Sequence, residues 1–154
     1  MGEAIEYSAK ADKARAYFEQ GFNCAQAVFA AFAEETGMDE GAALRLSSSF
    51  GGGMGGLREV CGAVSGMFMV MGMLRGYDRP DDPEAKKRLY AKLQNMAGKM
   101  TDQYGTLICR DLLKKNNVQP LPVPKERDAE YYKKRPCSRY VETCAAILEE
   151  QLGE

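Results

Sequence analysis

The sequence predicts an all-α fold, a single-domain bundle of six or seven helices around one hydrophobic helix at about residues 57–75. Three observations predict this fold class. Apolar residues recur at helical spacings of three and four along most of the chain. No segment shows the alternation of apolar and polar residues that is typical of a half-buried strand. Finally, Ser65 is the only polar side chain from Val60 to Leu74, and a helix that is apolar on every side belongs in a protein interior or a membrane.

This apolar stretch is too short to cross a bilayer. Its fifteen residues reach roughly 22 Å at about 1.5 Å each, whereas a hydrocarbon core is about 30 Å thick. We therefore predict a buried central helix that ends at Gly76, with no membrane insertion. Gly62 and Gly66 lie four residues apart on one face, where the missing side chains let a neighbouring backbone come close.

The helices before the central one are marked by their caps. Ser8 can cap a first helix that Gly21 ends, and Asn23 with Gln26 three residues later has the pattern of a capping box for a second helix. Gly37 is a natural end for that second helix. Asp39 can then cap a shorter third helix that leads into the glycine run at 51–56.

Three further helices are predicted after the central one. Asp82 followed by Pro83 is a strong helix start, because proline at the first helical position loses an amide that had no partner. The amphipathic segment continues to about Gln103. A short helix is predicted next, from Thr106 through Leu113. An extended segment follows from Asn116 to Pro124, and a final helix begins at Pro136.

Composition and charge exclude several classes of function. The 154 residues form one domain, residues 1–154, and its 21 basic and 22 acidic side chains are interspersed. No basic stripe is present to neutralise phosphates, so nucleic-acid binding is not expected. The segment from Met1 to Lys10 lacks the pattern of a secretory signal, and we expect a cytoplasmic protein.

The chain contains no histidine. This absence excludes Ser-His-Asp and Cys-His catalysis, histidine-ligated metals and the Cys-x-x-Cys-His haem attachment. The five cysteines are then the main candidates for soft metal ligands or redox groups. In a reducing cytoplasm they indicate metal binding or redox activity more than structural disulfides.

Four of the five cysteines lie at predicted helix starts: Cys24, Cys61, Cys109 and Cys137. Free amides and the positive end of the helix dipole favour an anion there, so we expect these thiols to be shifted toward thiolate. If the four starts converge, they form a pocket for a disulfide pair or a metal–sulfur cluster. The alternative is that they are inert core residues. Cys144 lies about 10.5 Å along the helix from Cys137, too far for a disulfide, and is interpreted as packing.

The glycine run matches the dinucleotide fingerprint literally, as Gly51-x-Gly53-x-x-Gly56. That motif works after a parallel strand, whereas residues 42–49 are predicted to be helix and polar link, so no nucleotide is expected. The run instead permits a tight turn into the central helix, and its amides could bond a sulfur or a small anion beside Cys61. The glycines expected to border the site are Gly53, Gly55, Gly56, Gly62 and Gly66.

Several of these segments together resemble a known family. Asn23–Val28, the glycine run, Glu59–Gly66, Cys109–Leu113 and Cys137 are similar to the C_GCAxxG_C_C family of redox-active proteins, and the resemblance covers nearly the whole chain. It implies a small prokaryotic cytoplasmic protein related to a domain of split-Soret-type cytochromes. It also implies that the four signature cysteines are Cys24, Cys61, Cys109 and Cys137. Haem is not expected, because the attachment sequence and every histidine are missing here.

The resulting hypothesis is a redox protein whose four cysteines form one site. Two mechanisms fit: ligation of an iron–sulfur cluster for one-electron transfer, which we favour, or dithiol–disulfide exchange with a partner protein. A non-redox zinc site held by the same four cysteines is the alternative of another class. The redox partner and the reaction stay open, as does whether a homodimer completes the site.

Overall fold

The computed structural model describes residues 8–124 and 126–153, and over these residues the protein is all-α, as predicted. The nearest approach to a strand there is one isolated antiparallel bridge between Val60 and Ile108. In chain order the helices are α1 (Ala9–Glu19), α2 (Cys24–Ala31), α3 (Ala33–Thr36), α4 (Glu40–Ser48), α5 (Gly51–Met54), α6 (Gly62–Arg75), α7 (Pro83–Tyr104), α8 (Cys109–Lys115), α9 (Ala129–Lys134) and α10 (Cys137–Leu152).

All the predicted N-caps except Thr106 are confirmed. The side chains of Ser8, Asp39 and Asp82 each accept a hydrogen bond from the amide three residues later, as N-caps do. Asn23 forms the full capping box with Gln26. Thr106 differs: its hydroxyl accepts from the amide of Ile108, and the helix begins only at Cys109.

Several helix boundaries and two short helices differ from the prediction. The second predicted helix is divided at Phe32, whose φ of −111° and ψ of 19° interrupt the helix between α2 and α3. The central helix begins at Gly62 and not at Leu57, because Arg58 has a left-handed φ of 60° and Val60 pairs with Ile108. The short helices α5 and α9 were not predicted.

α6 packs against α2, α10 and α7, and its first three turns lie in the core with Val64, Met67 and Val70 fully buried. Its last turn emerges, since Met73 is 50 % exposed. α2 is at least as enclosed, with Gln26 its one side chain that is not buried. The core is therefore shared among α2, α6 and α10, with α1 packed against both α2 and α10.

The expectation of a close approach at the two α6 glycines is confirmed. A Cβ built on Gly62 would lie 3.2 Å from the amide nitrogen of Ala25. A Cβ built on Gly66 would lie 2.8 Å from the carbonyl oxygen of Ala25. α2 and α6 thus touch backbone to backbone. This contact brings the first residue of α2, Cys24, beside the start of α6.

Within the described residues, no helix combines the length and apolar character that a membrane span requires. The expectation that the N-terminus lacks a targeting signal concerns mainly residues 1–7, which lie outside the described residues.

Asn23 anchors the start of α2 more firmly than an ordinary cap. Its Oδ1 accepts from the Gln26 amide at 2.9 Å, and its Nδ2 donates to the Ser48 carbonyl at 3.0 Å. We expect Asn23→Ala to lower the free energy of unfolding by about 1–2 kcal/mol, because both bonds are lost. The measurement is urea unfolding followed by circular dichroism. Asp39→Ala removes an exposed cap with one bond and should cost less, about 0.5–1 kcal/mol; an equal cost would contradict the added role of Asn23.

Candidate functional site

The structure brings the four signature cysteines to one cavity. Cys24, Cys109 and Cys137 are the first residues of α2, α8 and α10, and Cys61 is the N-cap of α6. All four line a cavity of about 510 Å³. Their predicted positions at helix starts are confirmed, and their chemical role stays a prediction. Cys144 is fully buried in α10 and is not among the cavity-lining residues.

The glycine run forms the wall between Cys61 and Cys109. Gly53 has a left-handed φ of 68°, and a Cβ there would lie 2.6 Å from the Cβ of Cys109. Gly56, with a φ of 83°, leaves no room for a Cβ beside the carbonyl oxygen of Pro122, at 2.5 Å. Only glycine therefore allows this loop to touch both α8 and the segment at 120–124.

Three backbone hydrogen bonds tie residues 58–61 to the start of α8, and two of them involve signature cysteines. The amide of Cys61 donates to the carbonyl of Leu107 at 2.8 Å, and the amide of Cys109 donates to the carbonyl of Glu59 at 2.6 Å. These hydrogen bonds restrict the backbone of both cysteines. The pairing explains why residues 57–61 are not helical, and it fixes the two thiols relative to each other.

The glycines expected to border the site divide into two groups. Gly53, Gly55, Gly56 and Gly62 line the cavity, whereas Gly66 is not part of the lining and packs against Ala25 and Val28. Its place is one helical turn farther along α6. The residues before the glycine run form α4, so the strand that a dinucleotide site needs is replaced by a helix, as expected.

Three arginines line the same cavity, and sequence reasoning missed all of them. They are Arg58, Arg127 and Arg135, and no aspartate or glutamate is among the described residues that line it. The Nη1 of Arg58 lies 3.6 Å from the sulfur of Cys109, and its Nε donates to the carbonyl of Leu121 at 2.8 Å. Asp128, which accepts from the amide of Tyr131 at 2.8 Å, was the available sequence signal for α9, the helix that Arg127 and Arg135 flank.

α9 presents an aromatic and cationic wall to the thiols. The guanidinium carbons of Arg127 and Arg135 lie 4.7 and 4.6 Å from the ring centre of Tyr131, within cation–π range. Burial, reinforced by the charges of Cys137 and Cys24, raises the pKa of Tyr131 to about 12. The tyrosine thus stays a neutral phenol against which the two arginines stack.

The expectation of a thiolate at every helix start is wrong for three of the four cysteines. The hydrogen bond with Cys137 and then burial raise the pKa of Cys24 well above its usual value. Burial raises the pKa of Cys61 to about 12 although the amides of Val64 and Ala63 oppose it. Burial also raises the pKa of Cys109, against the hydrogen bond and charge of Arg58. At Cys61 and Cys109, loss of solvation therefore outweighs the effects that favour the thiolate.

Cys137 is the exception. The hydrogen bond that the Cys24 thiol makes to it, followed by the charges of Arg135, Arg127 and Arg58, lowers the pKa of Cys137 in spite of its burial. The Cys24–Cys137 pair thus combines one thiol of raised pKa with one thiol of lowered pKa. Among the four cavity cysteines, Cys137 is therefore the one whose thiol loses its proton most readily.

The described residues contain no group of three or more Cys, His, Asp or Glu side chains placed to hold a metal ion. All five cysteines are free thiols. The four signature sulfurs thus surround the cavity as separate donors.

Comparison with known proteins gives one match. No curated protein and no solved structure matches the chain. The family model for C_GCAxxG_C_C, described as "putative redox-active protein", matches residues 22–151, which include all four cavity cysteines and the glycine run. The chain belongs to the C_GCAxxG_C_C family.

Proposed function

We propose that Cys24, Cys61, Cys109 and Cys137 ligate one iron–sulfur cluster and that the protein transfers electrons one at a time. The observation that carries this proposal is the cavity itself. Four thiols from four separate helix starts line it together with three arginines and no described carboxylate. This donor set, made of cysteine alone, is the one that iron–sulfur clusters use.

The charges of the cavity suit an anionic occupant. Four thiolates in a buried site need compensating positive charge, because burying an unpaired charge is costly. Arg58, Arg127 and Arg135 supply it, and Arg58 also donates toward the sulfur of Cys109. A bound cluster supplies one-electron oxidation and reduction, with a potential that depends on such hydrogen bonds to sulfur.

Ligation requires thiolates, so cysteines that are protonated must lose their protons when the site is loaded. Cys24, Cys61 and Cys109 hold their protons in the unloaded protein, because their pKa values are raised. Cys137 needs the least help, since its pKa is lowered. We infer that Cys137 is the first of the four to act as a ligand.

A second candidate function is dithiol–disulfide exchange by Cys24 and Cys137, which their hydrogen bond favours. The Cys137 thiolate attacks a disulfide of a partner protein, forms a mixed disulfide and releases one partner thiolate. Cys24, after losing its proton, attacks the Cys137 sulfur and releases the second partner thiol. The pair is oxidised to a disulfide, and two electrons pass to the partner.

Metal analysis of protein purified without oxygen tests the proposal. We expect iron and acid-labile sulfide in matching amounts, with a broad brown absorbance that bleaches on reduction. Metal-free protein with a reversible Cys24–Cys137 disulfide would support the dithiol function instead. About one equivalent of zinc without iron would indicate a structural metal site. Either of these last two results would overturn the cluster.

A further inference from the structure

The cavity carries more positive charge than its protein partners neutralise. None of the ion pairs found among the described residues includes Arg58, Arg127 or Arg135. Arg58 and Arg135 are each only 8 % exposed. Guanidinium groups that are this buried are ordinarily paired with a carboxylate or another anion. Here the cavity lining offers them none.

Two of the arginines are held in place by backbone carbonyls. Arg127 donates to the carbonyls of Phe18 at 3.4 Å and Phe22 at 2.9 Å, and it stacks on the ring of Phe18 at 4.5 Å. Arg58 donates to Leu121 and toward the sulfur of Cys109. Each guanidinium has five N–H donors, so both retain unused donors after these contacts.

Arg135 differs from the other two arginines in its hydrogen bonding. Its guanidinium stacks on Tyr131 but donates no hydrogen bond to any group that the structure describes. No fully enclosed side-chain nitrogen or oxygen in the described residues lacks a hydrogen-bond partner. The N–H groups of Arg135 are therefore not fully enclosed, and the residue lines the cavity two residues before Cys137.

We propose that the cavity binds a small molecule bearing an oxyanion, held by the guanidinium of Arg135 with Arg127 and Arg58 and placed beside Cys137. A carboxylate or a phosphate matches the planar donor fork of arginine. The volume of about 510 Å³ lies within the range of small-molecule sites. The inference does not require the cluster, but it concerns the same cavity and the same arginines, so a bound cluster and a bound oxyanion would share their positive charge.

Calorimetric titration of the anaerobically purified protein tests this site. The probes are inorganic phosphate and malonate, with chloride at equal ionic strength as the reference. We expect saturable binding of at least one oxyanion and none of chloride. Arg135→Gln should weaken that binding about 10- to 100-fold, because charge-assisted hydrogen bonds are lost. Arg135→Lys should weaken it less, since it keeps the charge and loses the fork.

Arg139→Gln is the matched control, because Arg139 is exposed on α10 outside the cavity and the variant loses the same charge. Its affinity should equal that of the wild type. Equal affinity in the Arg135→Gln and Arg139→Gln variants, or oxyanions that bind no better than chloride, would overturn the proposal. If Arg135→Gln does not fold, the comparison of Arg135→Lys with Arg139→Gln decides in the same way. Iron content is measured separately, so this inference and the cluster can fail independently.

Discussion

Gly53→Ala is expected to lower the free energy of unfolding by about 2–5 kcal/mol. The left-handed φ of 68° costs a residue with a Cβ about 1–2 kcal/mol. The new methyl group would also lie 2.6 Å from the Cβ of Cys109 and 2.7 Å from the Cα of Arg58. Relieving such overpacking costs a further 1–3 kcal/mol or so, because backbone must move. Urea unfolding followed by circular dichroism measures the sum.

The same substitution at Gly98 is the control. Gly98 lies within α7, and a Cβ built there meets nothing within 4 Å. Gly98→Ala should therefore raise the free energy of unfolding by about 0.5–1 kcal/mol, since alanine is the better helix former. Effects of the same sign in the two variants would show that the contact between the glycine run and Cys109 is not what the structure describes.

Cys61→Ser is expected to abolish cluster binding and redox activity. Cys61 is buried in the cavity wall, and the bond from its amide to Leu107 fixes its backbone there. A serine hydroxyl is a hard, weakly acidic ligand and replaces a thiolate poorly on iron–sulfur clusters. Iron, sulfide and the visible spectrum of the anaerobic variant measure the loss.

Cys144→Ser should leave iron, sulfide and redox activity intact. Cys144 is equally buried but outside the cavity lining, and a serine there can donate to the carbonyl one turn back in α10. The pair of variants separates a chemical role from a packing role, because both replace a buried sulfur by oxygen. Equal losses in Cys61→Ser and Cys144→Ser would contradict the assignment of the site.

The sequence predicted the parts of the fold that depend on local signals. Ser8, Asn23, Asp39 and Asp82 each mark a helix start within three residues of themselves, and the structure confirms all four. The start of α6 could not be predicted in this way. Residues 57–61 are held by hydrogen bonds to residues 107–109, which are distant in sequence, and this long-range pairing overrides their apolar helical pattern.

Only part of the candidate site could be predicted from the sequence. The helix starts located the cysteines, but their sequence positions gave no sign that Arg58, Arg127 and Arg135 share their cavity, because tertiary packing alone brings these arginines together. The prediction that these thiols are shifted toward thiolate was wrong at three cysteines for a related reason. The helix-start effect is visible in the sequence, whereas the depth of burial that opposes it at Cys61 is set by the complete fold.

The dispersal of the four cysteines along the chain has a consequence for the order of folding. Cys137 opens α10, and α10 packs against α1, α2, α6 and α7, whose residues all precede it. While the chain emerges from the ribosome, the earlier helices can assemble with at most three of the four sulfurs in place. The cavity can close only when α10 docks among its neighbours. Maturation of this site therefore has to wait for the synthesis of α10, and a cavity that holds all four sulfurs marks a chain in which α10 has docked.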